Sequence, residues 1–237
     1  MIYLDYVPKT EYMIYQDRSK FSYGLDSIIL SSFSKMREKS KLIDIGSGNG
    51  ILSLRANSMY DLKEVVSVEI QKEISDIYKE TLKYNGIENI TLINDDINNV
   101  YKNYKSGYFD YVITNPPYMK MGEGVDNLDE NSMISRMEKY LKIEDIFKIS
   151  LYLLRDKGKL FMINRPRRTN EAIVLGDKYN MRAKRIRLVQ SSIDKKPNLV
   201  LFEFMKNGGD NLVFEKNLIV NVNGEYSKEI LDIYGRI

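Results

Sequence analysis

Short runs of β-branched residues alternate with longer helix-forming runs from Lys41 onward. This alternation predicts strand–helix–strand units, which join parallel strands by right-handed crossovers. The predicted strands are 42–45, 65–69, 90–93, 109–114 and 159–163, and the predicted helices are 51–60, 72–84 and 143–155. Two further strands, 182–189 and 199–204, are expected to be antiparallel because a short turn joins them. The sequence thus predicts an α/β fold with a mostly parallel sheet.

The segments on either side of this alternating region are too short to be separate domains. We therefore expect a single domain over 1–237, with an N-terminal extension (1–40), a catalytic core (41–206) and a C-terminal extension (207–237). In the first extension Asp26 precedes an apolar run and is a predicted helix N-cap. In the second, Asn223-Gly224 is typical of a hairpin turn.

Cysteine and histidine are both absent from the 237 residues. Their absence excludes disulfides, thiolate nucleophiles, cysteine zinc sites and acid–base catalysis by histidine. No apolar run approaches the roughly 20 residues of a membrane span, and the first residues do not resemble a signal peptide. We therefore expect a cytoplasmic monomer or weak dimer that binds neither a membrane nor a metal ion.

A glycine-rich run, Asp44 to Gly50, separates the first strand of the alternating region from its helix. Gly46, Gly48 and Gly50 allow a tight turn and let a ligand approach bare backbone, and Ser47 lies among them. An acid at the start of this run disfavours a pyrophosphate. It suits a cationic ligand such as the sulfonium and amino groups of S-adenosylmethionine.

Carboxylates also follow the next two strands. Glu69 is expected to accept hydrogen bonds from ribose hydroxyls, with Ile70 beside it. After the third strand we expect Asp96, followed by Ile97, to contact the adenine of the cofactor. Asp95 is the alternative for this contact, and either aspartate could instead be a helix N-cap.

The fourth strand of the alternating region is followed by Asn115-Pro116-Pro117-Tyr118. The two prolines make a stiff loop, which can direct the Asn115 side-chain oxygen and the Pro116 carbonyl toward one point. Two acceptors are what a planar amino group needs to bind through both of its hydrogens, and the Tyr118 ring can stack on a base. These residues are therefore the predicted catalytic group, and a rigid turn with a core tyrosine is the alternative.

The net charge of +3 is distributed unevenly. Residues 151–206 contain 14 Lys or Arg against 5 Asp or Glu, so the rest of the chain is net negative. Such a basic stretch favours a polyanionic partner, although many are only solvated surface. The residues expected to contact this polyanion are Arg165, Arg167, Arg168, Lys184 and Arg185.

The order and spacing of these motifs resemble those of class I S-adenosylmethionine-dependent methyltransferases that act on exocyclic or amide nitrogens. Other positions resemble the bacterial branch that methylates N6 of adenine 37 in a valine tRNA, in its Gram-positive form: Gln16, Phe21, Gly24-Leu25-Asp26, Leu30, 164–168, 183–187 and 196–201. The resemblance implies a Rossmann-like fold with a seven-stranded, mostly parallel sheet and an antiparallel strand near its C-terminal edge. Met137 stands where that branch usually has a histidine.

The resemblance implies methyl transfer to an adenine N6 of tRNA, with S-adenosylmethionine as cofactor and tRNA as partner. A release-factor type of glutamine methyltransferase is the alternative, because its substrate amide presents the same kind of amino group. The basic stretch argues against it, as does the lack of a long helical N-terminal domain. A non-catalytic RNA-binding protein is disfavoured by the intact acidic and glycine motifs.

Overall fold

The computed structural model describes residues 1–17, 23–116 and 141–236. Helices in this part of the chain are α1 (Leu25–Phe33), α2 (Ile51–Tyr60), α3 (Lys72–Tyr84), α4 (Ile97–Val100), α5 (Ile143–Leu153), α6 (Thr169–Lys178) and α7 (Lys228–Ile233). The longer strands are β1 (Ile2–Tyr6), β2 (Met13–Asp17), β3 (Lys41–Ile45), β4 (Glu64–Val68), β5 (Ile90–Ile93), β6 (Phe109–Thr114), β7 (Leu154–Asn164), β8 (Met181–Gln190) and β9 (Leu199–Lys206). Four two-residue strands follow: β10 (Val213–Phe214), β11 (Leu218–Ile219), β12 (Asn221–Val222) and β13 (Glu225–Tyr226).

A large mixed sheet forms the centre of the molecule. Its long strands lie in the order β8-β9-β7-β6-β3-β4-β5, and only β9 runs antiparallel to its neighbours. This arrangement confirms the predicted fold class and the predicted antiparallel pairing of the last two long strands. The short strands β10 and β11 add to β8 in parallel, so the described sheet has nine strands rather than the expected seven.

Side chains of each central strand alternate between two hydrophobic layers. Leu42 packs into the layer that includes α1, α2, α3 and α7, whereas Ile43 and Ile45 pack into the layer of α4, α5 and α6. The sheet is thus buried on both faces, as crossover helices require. Asp44 points to the same side as Leu42 by this alternation, and it is completely buried.

Several boundaries differ from those predicted. Helix α5 ends at Leu153, and β7 begins at Leu154, because Leu154 already pairs with Phe109 before an irregularity in the register. Helix α6 was not predicted, since it buries only Ala172 and Gly176 and so lacks a clear apolar face. The Asn223-Gly224 turn is confirmed, with both residues at positive φ between the paired strands β12 and β13.

The N-terminal segment forms a β1–β2 hairpin followed by α1. The prediction that Asp26 caps this helix is wrong. Gly24 occupies the N-cap position, and Asp26 lies within the first turn. Its carboxylate accepts a hydrogen bond from the amide of Ser27 with one oxygen and contacts Asn115 with the other.

Candidate active site

A cavity lies where the carboxyl ends of β3, β4, β5 and β6 meet, as expected for ligand sites in open α/β sheets. Its described lining is Ile45, Gly46, Val68, Glu69, Ile70, Asp95, Asp96, Ile97, Asn115, Pro116 and Leu141. Seven of the residues predicted to bind a cofactor or a target amine line this cavity: Gly46, Glu69, Ile70, Asp96, Ile97, Asn115 and Pro116. The predicted residues Asp44, Ser47, Gly48 and Gly50 do not line it. Pro117 and Tyr118 belong to the predicted catalytic group but lie outside the described residues.

The glycine-rich loop crosses the end of β4. The amides of Gly46 and Ser47 both donate to the Val68 carbonyl, at 2.9 and 3.0 Å. Gly46 has φ of +71° and Gly50 has φ of +90°, a region that disfavours residues with a Cβ. A Cβ on Gly50 would also lie 2.1 Å from the ring of Tyr78. Conformation and space therefore both require glycine at position 50.

Glu69 joins the glycine-rich loop to the end of β4. It is 1% exposed, and its two oxygens accept hydrogen bonds from the amides of Gly48 and Gln71, at 2.9 and 2.8 Å. Burial raises the pKa of Glu69, and these hydrogen bonds oppose the rise. Glu69 also lines the cavity, so a ligand bound there would lie beside its carboxylate.

Asp44 lies beneath the loop at the head of a buried hydroxyl chain. Its Oδ2 accepts from Ser53 at 2.7 Å, Ser53 shares a hydrogen bond with Ser67 at 2.7 Å, and Ser67 shares one with Tyr78 at 3.1 Å. Burial raises the pKa of Asp44 to about 7, and the charge of Glu69 adds to the rise. A cationic group next to Asp44 would restore its ionised form.

Four buried polar atoms of the loop region have no hydrogen-bond partner among the described residues. They are Asp44 Oδ1, Ser47 Oγ, and both side-chain amide atoms of Asn49. An unsatisfied buried polar group costs about 1–3 kcal/mol, and these three residues lie next to the cavity-lining Gly46 without lining the cavity themselves. Asn49 is not among the residues predicted from the sequence to bind a ligand. The only signal for it there is a polar residue between two glycines.

Asp96 lies at the N-terminus of α4 and at the cavity wall. Its Oδ1 accepts from the amide of Asn98 at 2.8 Å and from the Asn98 side chain at 2.9 Å, so Asp96 is the N-cap. Asp95 also lines the cavity, and its side chain accepts from Asn99 at 3.0 Å. Both aspartates remain available for a ligand amine in the cavity.

Asn115 follows β6 directly and is half-buried at the cavity wall. Its Nδ2 donates to Asp26 Oδ2 at 3.1 Å and to Ser27 Oγ at 3.0 Å. The preceding residue, Thr114, donates to the Ile45 carbonyl at 2.8 Å and so fixes the end of β6 against β3. The first turn of α1 thus contacts the Asn115 side chain, whereas the sequence indicates for Asp26 only a helix cap and a family resemblance.

The five basic residues expected to contact RNA do not form one face. Arg165 and Arg167 follow β7, at the same edge of the sheet as Asn115. Arg168 is buried and pairs with Glu171. This local pairing gives Arg168 a structural role, which the charge count alone did not indicate.

Arg185 and Lys184 also have partners within the fold. The Arg185 guanidinium pairs with Glu203 and Glu215, at 2.7 and 2.6 Å, and donates to the Phe33 carbonyl. Lys184 lies in the N-terminal half of β8, away from the cavity edge, and donates to the Gly209 carbonyl. The expectation that these two residues contact RNA stays a prediction.

The methyltransferase small domain model matches residues 19–182, which is more than half of the chain. The chain belongs to the methyltransferase small domain family. It is an S-adenosylmethionine-dependent methyltransferase.

Two relatives of this chain are both named tRNA1(Val) (adenine(37)-N6)-methyltransferase. The protein of Tolumonas auensis is 28% identical over 193 residues, which cover 81% of this chain and 79% of the relative. The protein of Aliivibrio salmonicida is 22% identical over 214 residues, which cover 88% and 86%.

Solved structures share the fold. A predicted O-methyltransferase from Agrobacterium tumefaciens has a TM-score of 0.70 at 20% identity, covering 89% of this chain and 96% of that one. TYW2 from M. jannaschii, solved with AdoMet bound, has a TM-score of 0.58 at 16% identity, covering 87% and 86%.

The described residues fit S-adenosylmethionine. The unsatisfied atoms of Asp44, Ser47 and Asn49 suit the ammonium and carboxylate of its methionine part. Glu69 suits the ribose, and Asp95 or Asp96 suits the adenine amine. Within the described ranges no cluster of three or more acidic side chains could hold a metal ion. No helix in these ranges is long and apolar enough to cross a membrane.

Proposed function

We propose that this methyltransferase acts on the N6 amino group of an adenine in tRNA, and that adenine 37 of a valine tRNA is its target. The position of Asn115 carries the proposal, because its side chain lies at the wall of the cavity where the glycine loop and Glu69 also meet. The names of the two relatives above support the choice of tRNA and of this adenine. A tRNA substrate also implies a cytoplasmic location for the protein.

The chemical problem at N6 is a weak nucleophile, since the lone pair of the amine is delocalised into the purine ring. Asn115 and Pro116 offer two carbonyl oxygens, and hydrogen bonds from both N–H groups to these oxygens would return electron density to the nitrogen. S-adenosylmethionine, when bound, supplies an electrophilic methyl group. Placement by Asn115 and Pro116 needs neither histidine nor cysteine, which agrees with the absence of both from the chain.

Positive charge at the cavity edge favours a nucleic acid over a protein substrate. Arg165 follows β7, and its guanidinium donates to the Asn198 carbonyl at 3.2 Å, which ties it to the loop before β9. Lys195 and Lys196 are exposed on that loop. Because β9 begins beside the end of β7, these cations and Arg167 lie on the same edge as Asn115. Phosphates on either side of a flipped adenine would meet them there.

The proposal is tested by offering the purified protein and labelled S-adenosylmethionine two acceptors, unmodified bacterial tRNA and an unmodified release factor. We expect label in the tRNA, recovered as N6-methyladenosine at position 37 of a valine tRNA by nucleoside and fragment mass spectrometry. A tRNA with guanine at position 37 is the control and should take up no label. Label in release-factor glutamine, or at another tRNA position, would overturn the proposed substrate.

A further inference from the structure

We propose that Asp26, in the first turn of α1, is the positioning residue of the Asn115 side chain. The inference rests on the proposed function, since it concerns how Asn115 presents its oxygen to a substrate amine. It assigns a role to a carboxylate that none of the methyltransferase motifs of the core contains.

Hydrogen-bond chemistry fixes the Asn115 amide. The Asp26 carboxylate only accepts, and its Oδ2 lies 3.1 Å from Asn115 Nδ2. The Ser27 hydroxyl lies 3.0 Å from the same nitrogen. Rotating the amide by half a turn would place Asn115 Oδ1 against the carboxylate, where two acceptors repel. Nδ2 therefore stays on the side of α1, and Oδ1 stays on the opposite side of the amide.

The same contact makes Asn115 a better acceptor. A negative group hydrogen-bonded to the NH₂ of an amide polarises it and places more negative charge on its oxygen. In the proposed reaction that oxygen accepts from an amine whose N–H groups become more acidic as the methyl group is transferred. Asp26 would thus affect the chemical step through Asn115 without touching the substrate.

The position of the Asp26 carboxylate is itself built into the chain. Its Oδ1 accepts from the Ser27 amide at 2.9 Å. Gly24 has ordinary extended backbone, with φ of −99° and ψ of 171°, so its conformation does not require glycine. A Cβ at Gly24 would lie 2.6 Å from Asp26 Oδ1. Glycine at position 24 therefore leaves room for the carboxylate.

The helix that carries Asp26 is a rigid support. Ile28, Ile29 and Leu30 are almost fully buried in the layer shared with α2 and α7. A side chain on the first turn of such a helix keeps its place relative to the end of β6.

Two substitutions disturb the contact in different ways. Asp26→Asn preserves the shape but has one oxygen for two donors, so an NH₂ group must face either Asn115 Nδ2 or the Ser27 amide. Gly24→Ala keeps the charge and displaces the carboxylate. Asp5→Asn is the matched control, because Asp5 also accepts from the following amide, at 2.9 Å, and from a side-chain amide, that of Gln16, at 2.8 Å. Asp5 is not among the described residues that line the cavity.

The decisive measurement is single-turnover methyl transfer to an anticodon stem-loop. We expect Asp26→Asn and Gly24→Ala to lower the rate at saturation about 10- to 100-fold, with little change in KM. Asp5→Asn should leave the rate at the wild-type value. In a background of Asn115→Ala, Asp26→Asn should cause no further loss, because its effect passes through Asn115. Full activity of Asp26→Asn, or losses that add in the double variant, would overturn the proposal.

A second measurement keeps the positioning role separate from the substrate assignment. The Asn115 side-chain NH₂ is assigned by NMR from its disappearance in Asn115→Asp. Asp26→Asn should shift this signal and speed its hydrogen exchange, whereas Asp5→Asn should not. If wild-type protein methylates no tRNA, the proposed function fails while the NMR result still reports on Asp26. If tRNA is methylated and the Asn115 signal is the same in Asp26→Asn as in wild type, only the positioning role fails.

Discussion

We expect Glu69 both to hold the glycine-rich loop and to bind the cofactor. Its carboxylate holds the Gly48 and Gln71 amides and faces the cavity. In Glu69→Gln an NH₂ group replaces one of the two carboxylate oxygens. This NH₂ group must then face the amide of Gly48 or of Gln71, or the ligand. We expect S-adenosylmethionine affinity to fall about 10- to 100-fold, equivalent to about 1.5–3 kcal/mol.

Isothermal titration calorimetry measures this loss, and Glu64→Gln is the matched control. Glu64 lies at the other end of β4, where it contacts Tyr108 and Lys41. The control should bind the cofactor with wild-type affinity. Wild-type affinity in the Glu69 variant would remove Glu69 from the cofactor site.

Asp44 gives the free protein a specific pH dependence. Its pKa in the folded protein is about 7, whereas in an unfolded chain it is about 4. The folded state thus holds a proton that the unfolded state releases. The contribution of Asp44 to the free energy of unfolding therefore decreases as pH rises from about 4 to about 7. Asp44→Asn removes the effect.

Thermal unfolding of the cofactor-free protein at pH 5 and pH 8 tests this sign. The melting temperature of the Asn variant minus that of the wild type should be several degrees larger at pH 8 than at pH 5. An equal difference at both values would mean that Asp44 is ionised in the free fold.

At the scale of elements, we expect the carboxyl edge of the sheet to bind the substrate. A double variant, Lys195→Ala with Lys196→Ala, removes two cations from the loop before β9. We expect weaker tRNA binding and a salt-dependence slope smaller in magnitude by about 1–2, because fewer counterions are released.

Lys157 and Lys184 provide a charge-matched control on the same sheet. Both donate to carbonyls of the segment after β9, those of Asn207 and Gly209, away from the cavity edge. Replacing both with alanine should leave the salt slope unchanged. Equal effects of the two double variants would mean that tRNA binds by net charge alone.

The central elements could be predicted from the sequence because each has a local cause. Strand β6 and helix α3 match the predicted bounds, since an apolar run forms one and an amphipathic pattern before Asn85-Gly86 forms the other. The β1–β2 hairpin has no tight-turn signal and was not predicted.

The site shows the same distinction. The position of Glu69 and Asn115 at the cavity could be predicted because both residues follow the ends of parallel strands. Asp26 could not, because it lies 89 residues before Asn115 and only the packing of α1 brings the two together. Similarly, the charge count predicts that Arg185 contacts RNA, but it could not show that Arg185 pairs with Glu203 and Glu215 within the fold.

At the scale of the whole molecule, buried Arg55 connects both chain ends to the core. From α2 its guanidinium donates to the Pro8 and Ile233 carbonyls and to the Ser31 and Ser32 hydroxyls. Burial lowers its pKa to about 10, so it stays charged at neutral pH.

Arg55→Lys keeps the positive charge, but the ammonium group of lysine cannot donate to all four acceptors as the planar guanidinium does. We expect a loss of at least about 2 kcal/mol of unfolding free energy, measured by urea denaturation. Limited proteolysis should cut the variant first within residues 207–236. Wild-type stability would show that the two ends are held by their apolar contacts alone.

Asn115 carries the central claim, that the cavity presents acceptors to a substrate amine. The most direct test is single-turnover methyl transfer by Asn115→Ala and Asn115→Asp to an anticodon stem-loop at pH 6 and pH 8. The Ala variant should lose about 10²–10³ in rate with little change in KM. The Asp variant places a second carboxylate beside Asp26, and a shared proton at low pH relieves the repulsion. It should therefore be more active, relative to wild type, at pH 6 than at pH 8. An Asn115→Ala enzyme that methylates at the wild-type rate would contradict the account.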